Sequence, residues 1–160
     1  MGNKGGTKEA EESRQYIVRN RRARHDYSID EVYEAGIMLY GSELKSLRLR
    51  RASLAEAYAH DKGGELFLVN AHISPYDAAK TFGHEPLRPR KILMHAREIL
   101  KLIGAVRRKG MTLVPLSLYF NRRGRVKLEL ALAKGRTKGD MREAIKERDW
   151  NREKQRMLRG

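Results

Sequence analysis

The sequence predicts a mainly β protein of the α+β class: a small antiparallel barrel with short flanking helices, two packed layers of sheet and helix being the other solution. Two observations carry this reading. Apolar segments flank two glycine-bearing turns, Asp61-Lys-Gly-Gly64 and Asn121-Arg-Arg-Gly124, and each set reads as a hairpin. Two other segments carry helical spacing, which gives the order β-α-β-β-α-β-β without internal repeats. A chain of 160 residues suits one domain and can bury roughly two-thirds of its unfolded surface, so it needs no metal or disulfide staple.

Residues 1–15 hold Gly2, Gly5, Gly6, Lys4 and Lys8 and almost nothing apolar, and read as a disordered arm. Tyr27 to Leu39 alternates as a strand, with a change of phase near Glu31–Glu34 that predicts a bulge or bend. Gly41-Ser-Glu43 opens a short helix with Ser42 as its expected N-cap and Leu44 and Leu47 on one face. Leu54 to His60 and Glu65 to Ile73 form the first hairpin. Ser74 to Pro89, with three of the four prolines, is a long loop of the kind that is often functional. A helix is expected from about Arg90 to Val106, with Ile92, Ala96, Ile99 and Ile103 as its buried stripe, widened by Leu93 and Leu100. Met111 to Phe120 and Arg125 to Ala133 form the second hairpin. Beyond Ala133 the composition turns basic and glycine-rich. Asp140 and Glu143 have capping-box spacing, but Met141, Ala144, Ile145, Trp150, Met157 and Leu158 are too sparse to dock on a core. The expected organisation is an arm over 1–15, a domain over 16–133, and a basic tail over 134–160 that is disordered when free and helical when bound.

Thirty-five Lys and Arg oppose 20 Asp and Glu, a net +15. Such an excess attracts polyanions, so nucleic acid is the leading partner and an anionic membrane surface the weaker one. The charge is clustered at Arg19/Arg21/Arg22/Arg24, Lys45/Arg48/Arg50/Arg51, Arg88/Arg90/Lys91, Arg107/Arg108/Lys109 and Arg122/Arg123/Arg125/Lys127. Gathered on one face, these clusters would form a phosphate-binding footprint. With no cysteine, disulfides, thiolate zinc sites and cysteine nucleophiles are excluded. No apolar run approaches the ~20 residues of a membrane span. Met1 to Ser13 has no hydrophobic segment to serve as a secretory signal, so the expected setting is the cytoplasm.

Gly2-Asn-Lys-Gly-Gly-Thr7 resembles a phosphate loop only in composition. It lacks a preceding strand, a following helix and the Gly-Lys-Ser/Thr ending. His25, His60, His72, His84 and His95 have no metal-ligand spacing, and His72 is expected to be a half-buried packing residue. No nucleophile motif is present. The expectation is a non-enzymatic protein without cofactor or metal. The informative constellation is Asn20-Arg-Arg-Ala-Arg-His-Asp-Tyr27. Its guanidinium forks fit phosphate, and its arginine planes, His25 and Tyr27 can stack on unpaired bases. Lys45 and Arg48 share a helix face three residues apart. A ribosomal or assembly protein shares this charge and fold class, and the RNA that co-purifies separates the two readings.

The block Asn20 to Tyr27, with Glu34-Ala-Gly-Ile37, Gly41-Ser-Glu-Leu-Lys-Ser-Leu-Arg48, His72-Ile-Ser-Pro-Tyr76, Arg90-Lys-Ile-Leu-Met-His95, Leu113-Val-Pro-Leu-Ser-Leu-Tyr-Phe120 and Ala131-Leu-Ala-Lys-Gly135, resembles the bacterial SsrA-binding protein (small protein B) family over about Tyr16 to Arg156. The resemblance implies an oligonucleotide-binding-type β-barrel. It implies binding to the tRNA-like domain of transfer-messenger RNA and delivery of that RNA to stalled ribosomes for trans-translation. Elongation factor Tu and alanyl-tRNA synthetase would be met through the RNA, and the protein would be a monomer. Family contacts to the RNA fall on Glu34, Leu93 and Lys127. Asn20, Arg21, Arg22, Arg24, His25, Lys45, Arg48 and Lys134 match its basic surface. Lys138, Asp140, Arg142, Lys146, Arg148 and Trp150 match the tail that enters the ribosome's decoding centre and messenger channel. Met141 stands where the family usually has lysine, and removes one charge from the tail's first turn.

Overall fold

A computed structural model describes residues 13–76 and 83–135. The elements are β1 (Gln15–Arg19), α1 (Ala23–Asp26), β2 (Tyr27–Ile37), α2 (Gly41–Arg48), β3 (Ala52–Ser53), β4 (Tyr58–Lys62), β5 (Glu65–Val69), β6 (His72–Ile73), β7 (Arg90–Leu93), α3 (Ala96–Lys109), β8 (Thr112–Phe120) and β9 (Val126–Gly135). The fold is α+β, a sheet with flanking helices. Seven strands run in the order β1-β8-β4-β5-β7-β2-β9, and every pairing is antiparallel. β8 also pairs β9, so the pairings return on themselves. Besides β9, β8 pairs β1 near its C-terminal end and β4 at the single register Ala59↔Leu113. β3 and β6 form a separate two-stranded sheet.

Alternation along the strands builds the core. Leu66, Leu68, Ile92, Leu118, Leu128 and Leu130 point inward and are fully buried. Truncating such a leucine to alanine costs roughly 2–5 kcal/mol. A second, smaller cluster of Ala23, Val114, Leu116, Ala131 and Ala133 occupies the other face, against Tyr27 and Ile29. β8 serves both clusters because its register shifts between Pro115 and Ser117, which moves Leu118 back to the main core. Proline lacks the N–H a regular ladder would use, so it is accommodated at this irregularity.

Both expected turns join paired strands, but the first hairpin is shorter than expected: β4 begins at Tyr58 rather than Leu54, β5 ends at Val69, and His72–Ile73 pairs β3 instead. Lys62 pairs Glu65 across Gly63 and Gly64, whose φ values of +60° and +79° suit a two-residue turn. In the second, the Asn121 side-chain oxygen accepts from the backbone N–H of Arg123 (3.0 Å) and Arg125 (2.9 Å). β2 ends at Ile37 rather than Leu39, and its register breaks between Ile29 and Glu31, just ahead of the expected position.

Several expectations are corrected. Gln15–Arg19, at the junction of the expected arm and domain, is a strand zipped to β8, and Ala23–Asp26 is a single helical turn. The helix expected from Arg90 begins at Ala96. Arg90 and Ile92 are buried while Leu93 faces out, a period of two that makes β7 a strand. The helix's buried stripe is Ile99, Leu102, Ile103 and Val106, whereas Leu100 is exposed. Ser42 does not cap α2. Tyr40 is the N-cap residue, and its N–H donates to Glu43 Oε1 (2.8 Å). His72 is exposed, and His84 is the buried histidine. β9 runs through Lys134 and Gly135, two residues past the expected end. In the long loop, the described residues 74–76 and 83–89 carry no helix or strand. Among the described residues no helix is long and apolar enough to cross a membrane.

Candidate nucleic-acid interface

The fold sorts the cations into neutralised and open sets. Arg14 pairs Glu129 (3.0 Å), Lys91 pairs Glu65 (2.9 Å), Lys101 pairs Glu31 (3.1 Å) and Arg107 pairs Asp61 (2.7 Å). Arg88 and Arg90 both bind Glu43. The cluster Arg88/Arg90/Lys91 therefore does not belong to an open phosphate-binding footprint. Arg21, Arg22, Arg24, Lys45, Arg48, Arg122 and Lys127 have no carboxylate partner among the described residues.

The Glu43 cluster explains why α2 sits where it does. Glu43 and Arg90 are fully buried. Arg90 donates to Glu43, to the Ala71 carbonyl (2.7 Å) and to the Pro86 carbonyl (3.1 Å). Arg88 reaches Glu43 at 2.5 Å and lies over the Tyr40 ring at 3.9 Å. One carboxylate thus ties α2 to the loop before β7. Burial opposes ionisation of Glu43, but hydrogen bonds from Arg88, the Tyr40 N–H and Arg90 outweigh it and hold the carboxyl below its ordinary range. Beside it, His84 bridges Ser42 Oγ and the Ile73 carbonyl, each at 2.9 Å.

Glu34, Leu93 and Lys127 come from three separate strands and converge. Gly36 is opposite Leu93 on β7 and opposite Lys127 on β9. Glu34 lies two residues from Gly36 and so projects from the same face. Leu93 is 45 % exposed, a large apolar side chain beside a lysine. A Cβ added at Gly36 would stand 3.2 Å from the Leu93 Cβ, so the glycine lets Leu93 lie close over the strand. Glu34 is held in place: it accepts from the Tyr119 hydroxyl, and Arg14 lies 3.8 Å away. Arg14 also sits over the Tyr119 ring at 4.4 Å. Burial, and then Glu34, push the Tyr119 hydroxyl far above its ordinary pKa, so it stays a proton donor. Sequence reasoning missed Arg14 and Tyr119. Arg14 falls within the expected disordered arm, and no periodicity marks a residue that packs just ahead of its own strand.

The Asn20–His25 block lies at the opposite end of the β2–β9 ladder. Asn20 donates its side-chain amide to the Pro115 carbonyl (3.1 Å) and its N–H to the Leu116 carbonyl (2.8 Å). Ala23, 1 % exposed, plugs the one-turn helix into the second cluster. Arg21, Arg22, Arg24 and His25 are left exposed around it, His25 Nδ1 being 3.0 Å from Asp26. Lys134 is opposite Ser28 and belongs to this end. Nine residues of strand separate the two patches, roughly 30 Å at the rise of a β-strand. The open cations of the ladder therefore lie in two patches, one at each of its ends. Lys45 and Arg48 are exposed on α2, whose other side buries Ser42, Glu43, Ser46 and Leu47. Arg48 lines a cleft of about 460 Å3 shared with the β8–β9 hairpin. Lys138, Asp140, Arg142, Lys146, Arg148 and Trp150 lie outside the described residues. Among the described residues no group of His, Asp and Glu is arranged to hold a metal.

The family model described as SmpB protein matches residues 17–160. This chain belongs to the SmpB protein family. It is 59% identical over 146 residues to the SsrA-binding protein of Symbiobacterium thermophilum, covering 91% of this chain and 92% of the relative. With the SsrA-binding protein of Azorhizobium caulinodans it shares 57% identity over 152 residues, 95% of each chain. A solved structure described as "tmRNA-SmpB: a journey to the center of the bacterial ribosome" contains a chain 46% identical. That likeness has a TM-score of 0.64 and covers 80% of this chain and 93% of the other.

Proposed function

We propose that this protein binds transfer-messenger RNA and delivers it to stalled ribosomes, acting as an RNA-binding adaptor without a catalytic step of its own. Membership of the SmpB family over residues 17–160 carries this reading. Several features of the fold support it. The ring of strand pairings fits an oligonucleotide-binding-type barrel. The face of Glu34, Leu93 and Lys127 suits the tRNA-like domain: a lysine for phosphate, a leucine for a base or ribose, and a carboxylate that accepts from base amino groups. The exposed Arg21, Arg22, Arg24, His25 and Lys134, at the other end of the ladder, suit a further stretch of RNA backbone beyond the face of Glu34, Leu93 and Lys127. In this reading elongation factor Tu and alanyl-tRNA synthetase act on the RNA, the protein is a monomer, and residues 136–160 occupy the decoding centre and messenger channel. Sequencing the RNA that co-purifies with the full chain tests the proposal. Transfer-messenger RNA is the expected product, and intact ribosomal subunits alone would point to a ribosomal or assembly protein. Removing Asp140–Gly160 should leave binding to transfer-messenger RNA nearly intact and abolish tagging of a stalled peptide. Loss of both together would remove the separate role of the tail.

A further inference from the structure

We propose that the cleft between the end of α2 and the β8–β9 hairpin is a phosphate-binding site for single-stranded RNA, gripped by Arg48, Arg50 and Arg122. This rests on the reading of the protein as an RNA binder and names a contact region beyond the two patches above. The three arginines belong to segments more than seventy residues apart in sequence, yet they line one concavity with Tyr16, Phe120 and Asn121. No carboxylate neutralises them among the described residues. Three like charges around one hollow repel each other when it holds only water, and a polyanion relieves that repulsion.

Arg50 adds an independent argument. It has φ +58°, in the left-handed region. Its N–H donates to the Leu47 carbonyl (2.9 Å) and the Arg51 N–H to the Ser46 carbonyl (3.1 Å), the two bonds of a Schellman stop. Glycine is the ordinary occupant of that position, because a side chain there is strained. Helix termination explains the backbone but not the arginine. A long cationic side chain held against backbone preference, and aimed at an unneutralised basic cleft, has its reason in what the cleft binds.

The lining fixes the class of ligand. Asn121 uses its side-chain oxygen within the hairpin, which leaves its amide NH2 group as a further donor. Phe120 is half-buried and offers an apolar edge to a ribose or base, while the Tyr16 ring is already covered by the Arg19 guanidinium at 3.8 Å. The hollow, about 460 Å3 and open to solvent, has room for a nucleotide of a strand that crosses it. Guanidinium forks beside aromatic rings grip phosphate and unpaired base together.

The test uses the full chain as wild type, Arg50→Gly, and Arg50→Gly with Arg122→Gln. Binding is measured by titration across a salt series with two probes, transfer-messenger RNA and a short oligouridylate. Arg50→Gly should melt at or above the wild-type temperature, since its backbone strain is relieved. It should nevertheless bind oligouridylate and transfer-messenger RNA roughly tenfold more weakly, with a salt slope shallower by about one unit; the double variant should lose about two. Unchanged affinity and slope in the double variant for both RNAs overturns the site. So does a lower melting temperature for Arg50→Gly with unaltered binding. Wild-type protein that ignores transfer-messenger RNA but holds oligouridylate in an Arg50-dependent way overturns the functional reading and leaves the cleft standing.

Discussion

Arg88 and Arg90 on one side, and Arg48, Arg50 and Arg122 on the other, are the same residue type put to opposite uses. The first two are turned inward on Glu43, a carboxylate with no exposure of its own, and they join α2 to the loop that precedes β7. The other three ring an open cleft and meet no carboxylate among the described residues. What separates the groups is a single buried glutamate. A basic cluster in a sequence becomes structure where the fold brings it an acid and a dry pocket, and becomes a polyanion surface where it does not.

The most forceful way to break this contrast is Glu43→Ala. It would leave two guanidinium groups at a buried site without their counter-charge, and stability should fall by about 3–5 kcal/mol. Denaturant unfolding checks it, and a loss under about 1 kcal/mol would mean the cluster is not the tie described. Acidification reads the same cluster more gently. The Glu43 carboxyl sits below its ordinary 4.5 in the folded protein, so the unfolded chain takes up its proton first. Stability is then fully present above that ordinary value and declines as pH falls toward the lowered one. Melting temperatures between pH 6 and pH 3 should show a decline that a Glu43→Gln variant, already destabilised, shows less steeply.

On the open side, Lys127→Ala and Arg24→Ala should weaken binding to transfer-messenger RNA roughly tenfold and make the salt slope shallower by about one unit. Stability should stay within ~0.5 kcal/mol, the ordinary range for surface substitutions. A collapse of the melting temperature would move these residues into the structural group. The smallest effect is expected at Gly36→Ala. The added methyl presses on Leu93 from 3.2 Å, and the leucine must give by a few tenths of an ångström. Binding should weaken a few-fold, while the substitution's own effect on the strand stays near ~0.5–1 kcal/mol. Full-strength binding would show that the close approach of Leu93 to β2 is not used.

Much of the sheet was legible because hairpins announce themselves locally. Gly63-Gly64 and Asn121–Gly124 carry their turn chemistry in adjacent residues, and the strands beside them alternate. What failed was non-local. Gln15–Arg19 is a strand only because β8 offers it an edge, and Tyr16 and Val18 carry no signal of a partner a hundred residues on. Arg90 to Leu93 reads as the first turn of a helix because Ile92 and Ala96 are four apart. The buried Arg90 that settles the matter depends on Glu43, far away in sequence. The site divided in the same way. Arg24 and Lys127 could be read from charge and resemblance. Arg50 stood in a basic cluster, but its special position needed the backbone angle, and Arg14 and Tyr119 needed the fold that places them around Glu34.

The ladder between β2 and β9 has a consequence for how the chain is made. Gly36 pairs Lys127 and Tyr27 pairs Gly135, so β2 leaves the synthesising ribosome roughly ninety residues ahead of its partner, about 5–20 seconds at ordinary translation rates. β1 waits similarly for β8. Throughout that interval the β9-facing edge of β2 and the β8-facing edge of β1 are unpaired, and β2 has only β7 to meet, at Gly36 and Ile37. The ring of pairings cannot close until β9 has emerged, so closure of the sheet is a late event in the making of the chain, set by non-local pairing.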